Sequence, residues 1–147
     1  MELTRQKELI TRYITEVWDE GNTNNLSMYL HPNFKDFSLP EELSPDANGL
    51  KEWVDLTHQS LQPQTIIEEH LAEPDRCIIR ISMHLKHVGL WRGIPATGIT
   101  ATTHGYRSFL LKDGLILEHR ALIDGNTLER QLSSTTITGC KAKPAGN

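Results

Sequence analysis

The sequence has few cysteines, little net charge and no long apolar run. Two cysteines, Cys77 and Cys140, are too few for a disulfide framework, so reduced thiols are expected. Fifteen basic and nineteen acidic side chains give a net charge of −4, which excludes the basic surface that nucleic acid binding requires. Apolar stretches such as Leu115–Leu117 fall far short of the roughly 20 residues of a membrane-spanning helix. The charged N-terminus lacks a secretory signal, and we expect a cytoplasmic protein.

The length and composition are those of one folded domain. Hydrophobic residues make up 37% and charged residues 23% of the 147 residues, which suffices for a core and argues against disorder. The unusual feature is a set of seven histidines. Because histidine titrates near neutral pH and also binds metal ions, this surplus is consistent with proton chemistry, with a metal site or with no function at all.

Hydrophobic periodicity changes along the chain from helical to alternating. Apolar spacings of three and four predict helices over 3–18, 24–30 and 48–61. Alternation predicts strands over 64–71, 76–88, 99–111 and 115–124, followed by a short helix over 126–132. The pattern predicts an α+β domain over 1–132, in which three N-terminal helices cover a curved antiparallel sheet, and a flexible C-terminal tail over 133–147.

Several short motifs follow one another in a fixed order in the second half of the chain. They are Leu71–Arg76, His87–Gly89, Gly93–Gly98, Asp113–Glu118, Asp124 and Gln131–Leu132. In this order and spacing the chain, over about 4–132, resembles the SnoaL-like polyketide cyclase family, which has the nuclear-transport-factor-2-like fold. The resemblance implies a conical sheet closed by helices around an apolar pocket, usually in a homodimer. It also implies ring closure of a polyketide-like small molecule without metal or cofactor.

The resemblance assigns the acid/base role to Asp124, near the end of the last long strand. Asp124 follows the apolar run Ala121–Ile123, where burial would raise its pKa toward the range useful for proton transfer. Asp124 also precedes Gly125–Thr127, so its carboxylate could instead cap the terminal helix. The sequence leaves both interpretations open.

Arg120 stands where relatives commonly have tryptophan. Strand parity places it on the same face as Glu118, Leu122 and Asp124. There it would either lower the pKa of Asp124 and stabilise an anionic oxygen of the substrate, or form a surface pair with Glu118. Together with Asp124 and His104, Arg120 completes our set of candidate catalytic residues.

Two histidines are candidates for the pocket. His104 shares strand parity with Tyr106, so the two could donate protons together, or His104 could point into solvent. His87 precedes a loop over 89–98 that is expected at the pocket rim, where His87 would contact substrate or order the loop. His119 is predicted on the face opposite Asp124, at the surface or a subunit interface.

A metal site is not expected. His84 and His87 are three residues apart, and on a strand such residues face opposite ways and cannot share an ion. Cofactor-binding motifs are also missing from the sequence, so we expect no cofactor.

The remaining candidates are residues expected to contact a small-molecule substrate. The complete substrate-binding set is His87, Tyr106, Tyr13, Trp53, Phe37, Trp91, Leu110 and Leu122. These patterns support the hypothesis of a cofactor-independent cyclase or isomerase, which acts on a hydrophobic polyketide-like molecule by aldol-type ring closure or a related rearrangement. The alternative is a non-catalytic dimeric small-molecule-binding protein of the same fold. No nucleic acid or membrane partner is expected.

Overall fold

The computed structural model describes residues 1–141, and their side chains as far as Ser134. Its helices are α1 (Leu3–Tyr13), which continues as a π-helical turn over Ile14–Asp19, α2 (Ala47–Ser60) and α3 (Gly125–Lys141), with a 3₁₀ turn at Leu26–Met28. Its strands are β1 (Leu30–Asp36), β2 (Leu61–Glu73), β3 (Arg76–His87), β4 (Thr100–Lys112) and β5 (Leu115–Ile123). This α+β arrangement confirms the predicted fold class.

The five strands form one curved, unclosed sheet in the order β1-β5-β4-β3-β2. Strands β2 to β5 pair antiparallel with their neighbours, whereas β1 pairs parallel with β5. The prediction of an all-antiparallel sheet is therefore wrong at this edge, and the helix predicted over 24–30 is reduced to the 3₁₀ turn at Leu26–Met28. Pro32 is a helix-ending signal in the sequence, but proline is also tolerated in an edge strand, and this is its role in β1.

The sheet has an inner face covered by the helices and an outer face that no described helix covers. Alternate residues of β3 and β4 are buried in the core with apolar side chains of α1 and α2. Large apolar side chains also remain exposed on the outer face, among them Ile78, Tyr106 and Leu122. The alternation along the strands was predicted correctly. Because both faces contain polar and apolar residues, the alternation alone does not identify the buried face.

An irregularity in β5 determines which of its residues face inward. Leu111 pairs with Ile116 and Leu110 pairs with Glu118, so Leu117 is an extra residue in the ladder. As a result, Ile116 and His119 are both buried although they are three residues apart.

The terminal helix is longer than predicted. Helix α3 extends from Gly125 to Lys141, whereas a helix ending at residue 132 was expected. The predicted tail, 133–147, therefore begins within α3. Residues 142–147 lie outside the described residues, and the flexibility of the tail stays a prediction.

Candidate functional site

Two buried polar side chains, Asp36 and His119, contact each other on the inner face. The parallel register of β1 and β5 places Asp36 beside His119, and both side chains are at most 1% exposed. The Nδ1 atom of His119 lies 2.7 Å from Oδ2 of Asp36. Asp36 Oδ1 also accepts hydrogen bonds from the backbone N–H and the hydroxyl of Ser38, at 2.9 and 2.5 Å. The carboxylate is thus held in place from three directions.

Arg107 extends this pair into a buried triad, which we define as Asp36, His119 and Arg107. Its Nη1 atom lies 3.3 Å from Nε2 of His119, and its guanidinium stacks over the Trp18 ring at 4.4 Å. A guanidinium only donates hydrogen bonds, so Nε2 is the acceptor. The ring proton of His119 is therefore on Nδ1, where it is donated to Asp36, and the imidazole is neutral.

Burial and neighbouring charges set the protonation states of the triad. Burial lowers the pKa of His119, and the charge of Arg107 lowers it further, which outweighs the opposing effect of Asp36. Burial by itself raises the pKa of Asp36, but the hydrogen bonds from His119 and Ser38 bring it below its usual value. At neutral pH the triad therefore contains a carboxylate, a neutral imidazole and a guanidinium.

Aromatic side chains surround the triad and leave hydrogen-bond donors unused. Tyr13 contacts Phe109 edge-on, with 6.1 Å between ring centroids, and Phe109 contacts His119 at 5.0 Å. Within the described residues, Tyr13 Oη, Trp18 Nε1 and Arg107 Nε are buried and make no hydrogen bond of ordinary geometry. Burial and the charge of Asp36 raise the pKa of Tyr13, so its hydroxyl keeps its proton. Buried donors without a protein partner are typical of a site that receives a polar ligand or water.

Asp124 is exposed and caps α3. Its carboxylate accepts hydrogen bonds from the backbone N–H and the hydroxyl of Thr127, at 3.0 and 2.6 Å. These bonds, together with the charges of Arg130 and His104, lower the pKa of Asp124. The expectation of a buried carboxyl group with a raised pKa is therefore wrong, because β5 ends at Ile123 and leaves the next residue at the surface.

The other two candidate catalytic residues also lie on the outer face. His104 borders an open depression of about 450 Å³ together with Asp124, Tyr106 and Leu122. His104 and Asp124 therefore border one depression, but it is open and lies outside the interior. Arg120 forms an ion pair with Glu118 at 2.9 Å, which is the surface-pair interpretation. The catalytic roles of these residues stay predictions.

Candidate substrate-binding residues are divided between the two faces. Tyr13 lies beside the buried triad, and Trp53 is half-buried against the core. Outer-face positions are occupied by Phe37, which is stacked under the Arg120 guanidinium at 4.3 Å, and by Tyr106, Leu110 and Leu122. Trp91 is half-buried in the loop over 89–98, under the Arg92 guanidinium.

His87 orders the loop that follows β3. Its buried Nδ1 atom accepts a hydrogen bond from the backbone N–H of Thr97 at 3.2 Å and lies 3.0 Å from the Thr97 hydroxyl. His84 is on the opposite face, as strand parity predicted. Within residues 1–134, whose side chains are described, no three His, Cys, Asp or Glu residues are grouped as a metal site. No helix in the described part of the chain is long and apolar enough to cross a membrane.

The buried triad contains three residues that sequence reasoning missed. His119 was correctly placed on the face opposite Asp124, but it is in the interior and not at a surface or interface. Asp36 fell in a stretch for which no helix or strand was predicted, and Arg107 was not considered. The available signal was Arg107 itself, because it lies on the same face of β4 as the buried apolar residues Phe109 and Leu111, where a cation needs a partner.

A curved, unclosed sheet with helices over its inner face is the arrangement of a small α+β domain of the nuclear-transport-factor-2-like class. The family model described as SnoaL-like polyketide cyclase matches residues 8–132, and the chain belongs to this family. A comparison with curated proteins found no match.

Solved structures share this fold at low sequence identity. TsrD from Streptomyces laurentii is 21% identical with a TM-score of 0.78, and the match covers 91% of this chain and 98% of that one. A provisionally named polyketide cyclase from Acidithiobacillus ferrooxidans is 22% identical with a TM-score of 0.81 and coverages of 92% and 99%. IdmH from Streptomyces antibioticus, also provisionally named a polyketide cyclase, is 19% identical with a TM-score of 0.75 and coverages of 86% and 97%. At these identities the likeness shows the fold alone.

Proposed function

We propose that this protein is a cofactor-independent cyclase or isomerase that acts on a hydrophobic polyketide-like small molecule by acid/base catalysis. The observation that carries the proposal is the buried triad on the inner face, in which a neutral imidazole lies between a carboxylate and a guanidinium. Family membership supports the choice of substrate class. The provisional names of the structural neighbours agree with it.

The triad is suited to removing a proton from carbon. His119 Nε2 would take the proton from a carbon next to a carbonyl group, and Asp36 would stabilise the resulting imidazolium through Nδ1–H. The electron pair left on the substrate forms an enolate, whose oxygen Arg107 would stabilise. Attack of the enolate carbon on a second carbonyl carbon closes the ring, and His119 returns its proton to the new alkoxide.

A substrate could approach the triad at the end of β1. This strand stops at Asp36 and no longer covers the edge of β5 beyond that point. A depression of about 480 Å³ is found there on the outer face, lined by Phe37, Tyr106, Arg120 and Leu122 among other residues. Arg107 also borders it but is only 4% exposed, so a substrate that enters from this side must move the side chains between the depression and the triad.

The test compares matched histidine variants from the two faces. We expect the wild-type protein to accelerate hydrogen–deuterium exchange at the acidic carbon of an enolisable 1,3-dicarbonyl compound in D₂O, followed by NMR. His119→Gln should reduce that rate by about 10²–10⁴-fold, the range for loss of a general base. His104→Gln changes an exposed histidine on the outer face and should leave the rate unchanged.

Two results would contradict the proposal in different ways. If His104→Gln removed exchange and His119→Gln did not, the chemistry would belong to the outer face. If the wild-type protein bound such compounds, left the exchange rate at that of buffer and gave no product by mass spectrometry, the protein would be the non-catalytic binding protein that the sequence left as the alternative.

A further inference from the structure

The unused donors beside the triad indicate what kind of ligand group belongs there. Tyr13 is fully buried and Arg107 is 4% exposed, and the Tyr13 hydroxyl and Arg107 Nε each carry a proton that no described residue accepts. Both are donors, so they require an acceptor, and an oxygen with excess negative charge is the strongest one. Trp18 lies between the two, because the Arg107 guanidinium stacks over its ring at 4.4 Å and its indole is directed at the Tyr13 phenol.

The charge of the triad limits the form in which the ligand enters. Asp36 contributes one negative charge, Arg107 one positive charge and neutral His119 none, so the triad has no net charge. A permanently anionic ligand would leave one unbalanced negative charge in a buried site, which is costly. A neutral ligand that transfers a proton to His119 would leave the total at zero.

We propose that the buried site takes in a neutral, weakly acidic enol or phenol and holds it as an oxyanion between Arg107 Nε and Tyr13 Oη. The ligand's O–H bond breaks, an N–H bond forms at His119 Nε2, and the electron pair stays on the ligand oxygen. Arg107 Nη1 donates to His119 Nε2 at 3.3 Å, so this step requires the guanidinium to release Nε2 as it turns to the ligand oxygen. This inference rests on the proposed function, since it names the oxyanion that the same triad would stabilise.

The experiment uses 4-nitrophenol, whose visible absorption appears only when the phenol is ionised. At a pH where the free probe is neutral, we expect the wild-type protein to bind it and produce the absorption of the anion. We expect 4-nitrobenzoate, a permanent anion of similar size, to bind at least tenfold more weakly.

Matched tyrosine variants locate the bound oxygen. Tyr13→Phe removes a hydroxyl whose proton no described residue accepts, so the fold should be kept, and 4-nitrophenol binding should weaken by about 10- to 100-fold. Tyr29→Phe makes the same change at a phenol whose hydroxyl donates to Glu16 Oε1 at 2.6 Å, and it should leave binding unchanged.

The proposal is overturned if 4-nitrobenzoate binds as tightly as 4-nitrophenol, if bound 4-nitrophenol stays neutral, or if Tyr13→Phe binds 4-nitrophenol as tightly as Tyr29→Phe does. These outcomes are separate from failure of the proposed function. If the protein ionises bound 4-nitrophenol but does not catalyse exchange, the oxyanion site is supported and the proposed catalysis is not. If exchange requires His119 but bound 4-nitrophenol stays neutral, the proposed catalysis is supported and the oxyanion site is not.

Discussion

The two faces of the sheet carry the same three residue types in opposite environments. Asp36, His119 and Arg107 are buried on the inner face and bonded to one another. The outer face carries Asp124, His104 and Arg120 near solvent, where Asp124 is bonded to a helix terminus and Arg120 to Glu118.

This comparison shows that position in the fold, more than residue type, determines what such a group can do. Water screens the outer charges, so their interactions contribute little to stability and shift protonation only modestly. The inner groups depend on one another, because removing any one of them leaves a buried charge or donor without its partner. Four predictions test this difference, from the largest expected effect to the smallest.

The largest effect is expected from Arg107→Met. The change removes the buried positive charge that balances Asp36 through His119, and leaving a buried charge without its partner typically costs about 3–5 kcal/mol. Urea unfolding should show this loss as a lower free energy of unfolding. A loss below about 1 kcal/mol would mean that Arg107 does not stabilise the buried carboxylate.

The second effect is a pH dependence of stability that originates on the inner face. Burial lowers the folded-state pKa of His119, so the unfolded chain binds the proton more readily and stability falls as the pH drops below about 6.5. The slope for one such group approaches about 1.4 kcal/mol per pH unit until the folded-state pKa is reached. His70, whose pKa is also lowered by burial, should add a smaller slope of the same sign.

Urea titrations at several pH values measure this slope. His119→Gln should flatten most of it between about pH 6.5 and the folded-state pKa, while His104→Gln should retain it. An equal slope in wild type and His119→Gln would show that His119 is not held neutral by the fold.

The third effect concerns the outer-face aspartate. Asp124→Ala removes the N-cap of α3 and should cost about 1 kcal/mol, whereas asparagine caps a helix as well as aspartate does. Asp124→Asn should therefore unfold at nearly the wild-type urea concentration. An equal loss in both variants would mean that the negative charge matters more than the cap.

The smallest effect is expected for Arg120→Met. Arg120 is over half exposed, and exposed ion pairs contribute about 0–1 kcal/mol. The free energy of unfolding of Arg120→Met should lie within about 1 kcal/mol of the wild-type value, in contrast to that of Arg107→Met. A loss as large as that of Arg107→Met would remove the distinction between the faces.

Strand positions and the fold class could be predicted, because alternation and motif order are local features. Parity correctly grouped Arg120, Leu122 and Asp124 on one face. Strand parity could not show which face is interior. The outer face carries large hydrophobic side chains such as Tyr106 and Leu122, whereas the inner face carries the polar side chains of Arg107 and His119.

The triad itself could not be predicted from local patterns. Asp36 and His119 are 83 residues apart, and their contact requires the parallel pairing of β1 with β5. Pro32 obscured that strand, and the extra residue at Leu117 changed the inward-facing positions of β5. Sequence reasoning therefore found the histidines but placed the chemistry at His104 and Asp124.

The most direct test of the inner-face account is ¹⁵N NMR of the histidine side chains with and without 4-nitrophenol. The account predicts that His119 is neutral with its proton on Nδ1 in the free protein and becomes imidazolium when the probe binds. The signals of His104 should not change. Protonation of His104 on binding, with His119 unchanged, would contradict the account and place the site on the outer face.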